Sequence, residues 1–224
     1  MRRRVRAFAA FMTLGAAALV PQPAARADPL PDCAEFKLWA AEAAQKAAGC
    51  RSNAADGSGR SFVAHFPTEP GGTGTVEVFD RAGSKLHDIR EQYAVSIATP
   101  SWQDLDVDGT QELLVVMQTS ASNETVAVWR SHGPDGRLVR AGALFGVQLE
   151  PFSQRKGLVF IRIHVSCCEG VYQLYRFAEQ DELAKVAEAD WSAKSESDYR
   201  CEPKPVPGGL GLEETRSLLC ARRK

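Results

Sequence analysis

The chain has 224 residues, 44% of them hydrophobic and 25% charged, with a formal net charge of −1. The first 27 residues hold Arg2, Arg3, Arg4, Arg6 and Arg26 and no acid, so removing them leaves 22 basic residues against 28 acidic ones, a formal charge of −6. That balance excludes nucleic acid as the expected partner and favours a cationic one, or simple solubility.

Residues 1–27 predict a secretory signal peptide. The arginines form its basic start, residues 8–20 its apolar stretch, and Ala25-Arg26-Ala27 a small-x-small cleavage site ahead of Asp28. The apolar stretch is short for a membrane span. The expected product is a periplasmic or secreted chain, 28–224, with no membrane span and a single β-rich domain.

Asp32 followed by Glu35 is a capping-box signature, and Phe36, Trp39, Ala43 and Ala47 recur at helical spacing before Gly49. A helix over 33–48 is expected. It would separate Cys33 from Cys50 by roughly 25 Å, whereas a disulfide needs Cα atoms within about 7 Å. All six cysteines (Cys33, Cys50, Cys167, Cys168, Cys201, Cys220) lie in the exported part, and an even count there points to disulfides. With a Cys33–Cys50 bond excluded by the helix and a Cys167–Cys168 bond disfavoured by strain, the vicinal pair becomes the expected hub. It would staple the helix and the tail to the middle of the chain.

Between residues 60 and 190 the chain repeats a β unit of three to four strands. First strands are expected at 61–66, 112–118 and 158–165. Second strands at 76–80, 126–130 and 172–176 follow one another at offsets of 50 and 46 residues. Turns at 81–84 and 134–136 lead to third strands beginning at Lys85, Arg137 and Glu182, with fourth strands at 93–98 and 145–149. This period suits a mainly β, antiparallel, propeller-like arrangement; a sandwich or strongly curved sheet is the competing architecture. Residues 191–224 read as a disulfide-linked tail, irregular over 192–209 and helical over 212–220.

The densest chemistry lies in Asp104-Leu105-Asp106-Val107-Asp108-Gly109-Thr110-Gln111-Glu112, just before an apolar run. Alternating carboxylates, a glycine and a later glutamate match the first nine positions of a calcium loop. Asp104, Asp106 and Asp108 would supply side-chain oxygens, Thr110 a backbone carbonyl, and Glu112 a direct or water-mediated contact to one Ca²⁺. Position twelve is Val115, inside the apolar run, which argues against an EF-hand sensor and for a structural ion. A weak echo of the loop stands at 53–59.

With these features placed, the chain resembles a family of exported bacterial proteins that carry a single Asp-x-Asp-x-Asp-Gly calcium loop running into an apolar strand. The similar parts are 104–116, Ser166-Cys167-Cys168-Glu169-Gly170 and Tyr172-Gln173-Leu174-Tyr175-Arg176-Phe177. Some members resemble propeller-like periplasmic lysozyme inhibitors, so the resemblance implies a calcium-stabilised, non-enzymatic protein that binds another protein, with a lysozyme as one expected partner. Residues 120–124 and 131–134 are the candidate contact segments. A structural or assembly component of the cell envelope is the alternative. A hydrolase is disfavoured: His65, His87, His132 and His164 lack metal-ligand spacing, and no Gly-x-Ser-x-Gly elbow is present.

Overall fold

The computed structural model describes residues 30–35, 48–67, 72–92, 99–120, 122–133, 135–193, 195 and 198–221. The predicted signal peptide therefore lies outside the described residues, as do most of the predicted N-terminal helix and the strand expected at 93–98.

Among the described residues, thirteen strands form three antiparallel sheets. The first is the meander β1 (Gly49–Asn53), β2 (Ser61–His65), β3 (Thr73–Phe79) and β4 (Lys85–Gln92). The second joins β5 (Ser101–Gln103), β6 (Glu112–Thr119), β7 (Glu124–His132) and β8 (Arg137–Gly146). The third runs β9 (Gln148–Pro151), β10 (Val159–Ser166), β11 (Glu169–Phe177), β12 (Leu183–Ala193) and β13 (Tyr199–Lys204). A short helix α1 (Leu212–Thr215) continues in π-helical form through Arg216–Cys220.

The middle sheet explains the apolar run after the acidic loop. Side chains alternate across a strand, and both faces of β6 are covered. Leu113 and Val115 pack with Phe62, Ala64, Val76, Val78 and Ile89 of the first sheet. Leu114 and Val116 pack with Val159 and Ile161 of the third. The third sheet's other face holds Phe160, Tyr172, Leu174 and Trp191 against Leu219 of the C-terminal segment. Tyr172 and Tyr175, three apart on β11, accordingly enter different clusters.

This arrangement corrects the propeller-like expectation. Among the described residues the sheets are open meanders and none closes into a propeller. They pack face against face, and the C-terminal segment takes the outer face of the third sheet. Each unit also holds a short leading strand, β1, β5 or β9, ahead of the first strand that the repeat predicts.

The expected N-terminal helix is corrected as well. Asp32 does cap a turn, its Oδ1 accepting the Ala34 N–H at 2.9 Å, but the turn is a 3-10 turn over Cys33–Glu35. Residues 36–47 lie outside the described residues, and the α-helix seen among the described residues is near the C-terminus. Cys33 and Cys50 are bonded, with Cα atoms 5.0 Å apart, the pairing that a helix over 33–48 would have forbidden. The second disulfide joins Cys201 to Cys220. Cys167 and Cys168 remain free thiols, so the vicinal pair is not the hub of a disulfide network. Both staples are local, closing sequence separations of 17 and 19 residues.

Candidate metal centre

The acidic loop connects β5 to β6. Val107 and Gly109 both adopt positive φ, 61° and 97°. Glycine accepts this at little cost, whereas a β-branched valine does so only when its surroundings enforce it. The enforcing contacts are short-range. Asp104 accepts the N–H groups of Asp108 and Gly109, each at 3.1 Å, and Asp108 accepts that of Thr110 at 2.7 Å. Asp106 accepts the Asp108 N–H at 3.3 Å. These turns fold the chain so that ligand atoms of Asp104, Asp106 and Asp108 all lie within 4.8 Å of one another. Such a cluster could coordinate a metal ion. Asp106 is buried, Asp104 half-buried and Asp108 exposed, so the group opens to solvent on one side.

The predicted fourth and fifth contributors take different places. Thr110 is half-buried at the loop's exit. Glu112 begins β6 with no exposed surface. Its Oε2 accepts the Leu105 N–H at 2.9 Å, which ties the two ends of the loop together. Its Oε1 is buried and has no hydrogen-bond partner among the described residues. Burial pushes this carboxyl up to about 8, with Asp106 and Asp108 adding to the rise and the Leu105 N–H and Arg130 opposing it. Glu112 stands outside the group of three that converges, yet a buried carboxyl oxygen without a hydrogen bond at the loop's exit, together with three converging carboxylates, gives an all-oxygen surrounding that a hard cation could satisfy.

Arg130, at the far end of β7, is the contributor that the spacing of the loop does not reveal. Its guanidinium pairs with Asp106 at 2.9 Å and Asp108 at 2.5 Å, and comes within 3.8 Å of Glu112. It lies 4.0 Å over the Phe177 ring and 3.6 Å from Asp181, both outside the middle sheet. One cation thus faces four carboxyl groups and ties the loop to the β11–β12 hairpin. Its only sequence signal is a charged residue directly after the apolar run Val126 to Trp129.

Equivalent connections from the other sheets meet the loop. From the β1–β2 connection, Asp56 accepts the Gln111 N–H at 2.9 Å and Arg60 donates to the Gln111 carbonyl at 3.0 Å. From the β9–β10 connection, the Gly157 N–H donates to the Asp106 carbonyl at 2.6 Å. The weak echo at 53–59 is thus an arginine-bridged loop docked against the acidic one. The loop sits where all three sheets join.

The four histidines occupy structural positions. His65 pairs with Glu77 at 3.1 Å, His87 packs on Trp129 and His164 on Trp191, and His132 pairs with Asp181. Among the described residues, Asp104, Asp106 and Asp108 are the one group of three or more metal-ligating side chains that converges.

Fold and site together define a three-sheet antiparallel β protein with an acidic, metal-compatible loop at its junction. No family model and no curated protein matches the chain. A solved structure titled "Structure of a Xanthomonas Type IV Secretion System related protein" is similar over 71% of this chain and 90% of that chain, at 12% identity and a TM-score of 0.49. The expectation of a propeller-like lysozyme inhibitor is corrected at this point. No family or curated match supports it, the sheets are open among the described residues, and one residue of each segment expected to enter a lysozyme cleft is held by the third sheet or its turn. Asn123 exchanges two hydrogen bonds with the His164 backbone, and His132 is held by Asp181.

Proposed function

We propose that the chain is a Ca²⁺-stabilised, non-enzymatic, periplasmic or secreted component of the cell envelope that acts by binding another protein. The calcium assignment rests on the all-oxygen donor set and on a loop that tolerates irregular coordination, which Mg²⁺ accepts less readily. Because the loop's contacts run inward to all three sheets, the ion serves as a clip and recognition falls elsewhere. Among the described residues no helix is long and apolar enough to cross a membrane.

The observation that carries the partner-binding reading is at the other end of the sheets. Phe145, Val147 and Val165 are large apolar side chains that are 48%, 46% and 69% exposed. Register brings them to one region. Phe145 and Val147 flank Gly146, which pairs with Glu124, and Val147 donates its N–H to the Arg162 carbonyl at 2.8 Å. Val165 follows His164, the residue bonded to Asn123. Exposed apolar groups gathered in one place mark an interaction surface.

The test is affinity capture from the native envelope with the mature, calcium-loaded protein, followed by reconstitution with the purified candidate. A defined stoichiometric complex is expected, weakened at least about tenfold by Val165→Asp. A folded Asp104→Asn/Asp108→Asn variant should retain it. Absence of any saturable complex, or binding indifferent to Val165→Asp and Phe145→Ser, would remove the reading.

A further inference from the structure

Cys167 and Cys168 occupy the two positions between β10, which ends at Ser166, and β11, which begins at Glu169. Adjacent residues on an extended strand point to opposite faces, so neighbouring thiols ordinarily diverge. Here the turn, together with the bulge between His164 and Ser166, swings both sulfurs to one side, and the Sγ atoms lie 2.7 Å apart. Cys167 is exposed and Cys168 half-buried. The turn is anchored from both directions, since the Cys168 N–H donates to Ser166 Oγ at 3.3 Å and the Cys168 carbonyl accepts the Ala193 N–H at 2.8 Å. The sulfurs therefore meet on a fixed backbone.

We propose that Cys167 and Cys168 form a reversible dithiol–disulfide couple, oxidised by small-molecule or protein disulfides to a vicinal disulfide at the tip of the β10–β11 hairpin. The exposed Cys167 thiolate attacks one sulfur of the incoming disulfide, forming a mixed disulfide and releasing one thiolate. Cys168 then loses its proton to solvent and attacks the Cys167 sulfur, displacing the second thiolate. Two protein thiols lose two electrons and two protons, and one disulfide becomes two thiols.

Three features favour a reversible couple over a third structural bond. Adjacent Cα atoms are about 3.8 Å apart, closer than the usual range for bridged cysteines, so the ring is readily reduced. The tip is accessible, unlike Cys33 and Cys50, which are buried. The Cys167 contact, partial burial and the nearby Glu169 push the Cys168 thiol up, which suits the resolving member of the pair. The two disulfides already present fit an oxidising compartment in which exchange partners are available.

The test incubates the folded mature protein with excess glutathione disulfide and reads intact mass and mapped peptides. The expected product has lost two hydrogens at Cys167-Cys168, keeps no glutathione, leaves Cys33–Cys50 and Cys201–Cys220 intact, and reverts with a dithiol reductant. Cys168→Ser should retain one glutathione on Cys167. Stable adducts on both sulfurs, covalent dimers, or free thiols surviving conditions that oxidise an exposed model dithiol would each overturn the couple. The wild-type reading stands without the variant.

Discussion

At the residue scale, Asp56 shows how one carboxylate joins two sheets. Its side chain and that of Arg60 are 3% and 5% exposed and pair at 2.8 Å. Arg60 also lies 5.1 Å from the Trp102 ring centre. Burial alone would raise the Asp56 carboxyl. The Gln111 N–H, the Ser58 hydroxyl and N–H, and Arg60 together outweigh it and hold the group well below the usual carboxylate range. A group depressed in this way contributes stability above its unfolded value, about 3.9, and loses it as pH falls toward the folded value. Asp56→Asn would leave Arg60 buried without its counter-charge. Breaking such a pair costs about 3–5 kcal/mol. Urea unfolding at pH 7 should show a loss of that order, and the gap between parent and variant should narrow below about pH 4. Equal stability of the two at pH 7 would show that Arg60 finds another partner. None of this was legible beforehand. Residues 53–59 read only as a faint echo of the acidic loop, because hydrogen bonds to the backbone of a neighbouring turn leave no spacing signature.

At the scale of elements, the β6–β7 hairpin is fastened to β10 by one side chain. Asn123, 7% exposed, donates to the His164 carbonyl at 2.8 Å and accepts the His164 N–H at 3.0 Å, extending the third sheet's hydrogen bonding through an amide side chain. Asn123→Ala should cost about 2 kcal/mol, since both backbone groups of His164 lose their partner. Faster amide exchange at His164, with the acidic loop unchanged, is the check; unaltered exchange there would mean the bonds are not needed. What the sequence made legible at this scale follows from side-chain periodicity. β3 and β11 were readable because half-buried strands alternate, and β6 and the middle of β7 because a strand buried on both faces is continuously apolar. β5 and β9 have three and four residues, too short to show a period. β13 was hidden by Pro203 and its polar neighbours at an edge, where burial imposes little pattern. The Asp32 capping signal was real and opens a 3-10 turn at Cys33–Glu35, and drawing an unbroken helix over 33–48 from it inverted the disulfide assignment.

At the scale of the whole molecule, the position of the acidic loop decides what an ion would do. Five loop oxygens could be proposed from spacing alone, but spacing cannot show that Gln111 bonds to the first sheet's loop, Asp106 to the third sheet's, and Arg130 to the β11–β12 hairpin. An ion confined to a peripheral turn would protect only that turn. An ion at this junction stabilises the packing of all three sheets, so its binding free energy should appear in global unfolding. At calcium concentrations about 100-fold above the dissociation constant the gain is about 2.7 kcal/mol, which for a domain of this size corresponds to a rise of roughly 5–11 °C in Tm. Calorimetry with and without chelator should show one transition shifting as a unit, and Asp104→Asn/Asp108→Asn should abolish the shift. Probes at Trp102 and Trp191, which sit in the first and last hydrophobic clusters, should report the same midpoint in each condition. If calcium moved the Trp102 signal and left Trp191 behind, the loop would be a clip for two sheets only. An equal response to magnesium would remove the calcium assignment, while leaving the junction itself intact.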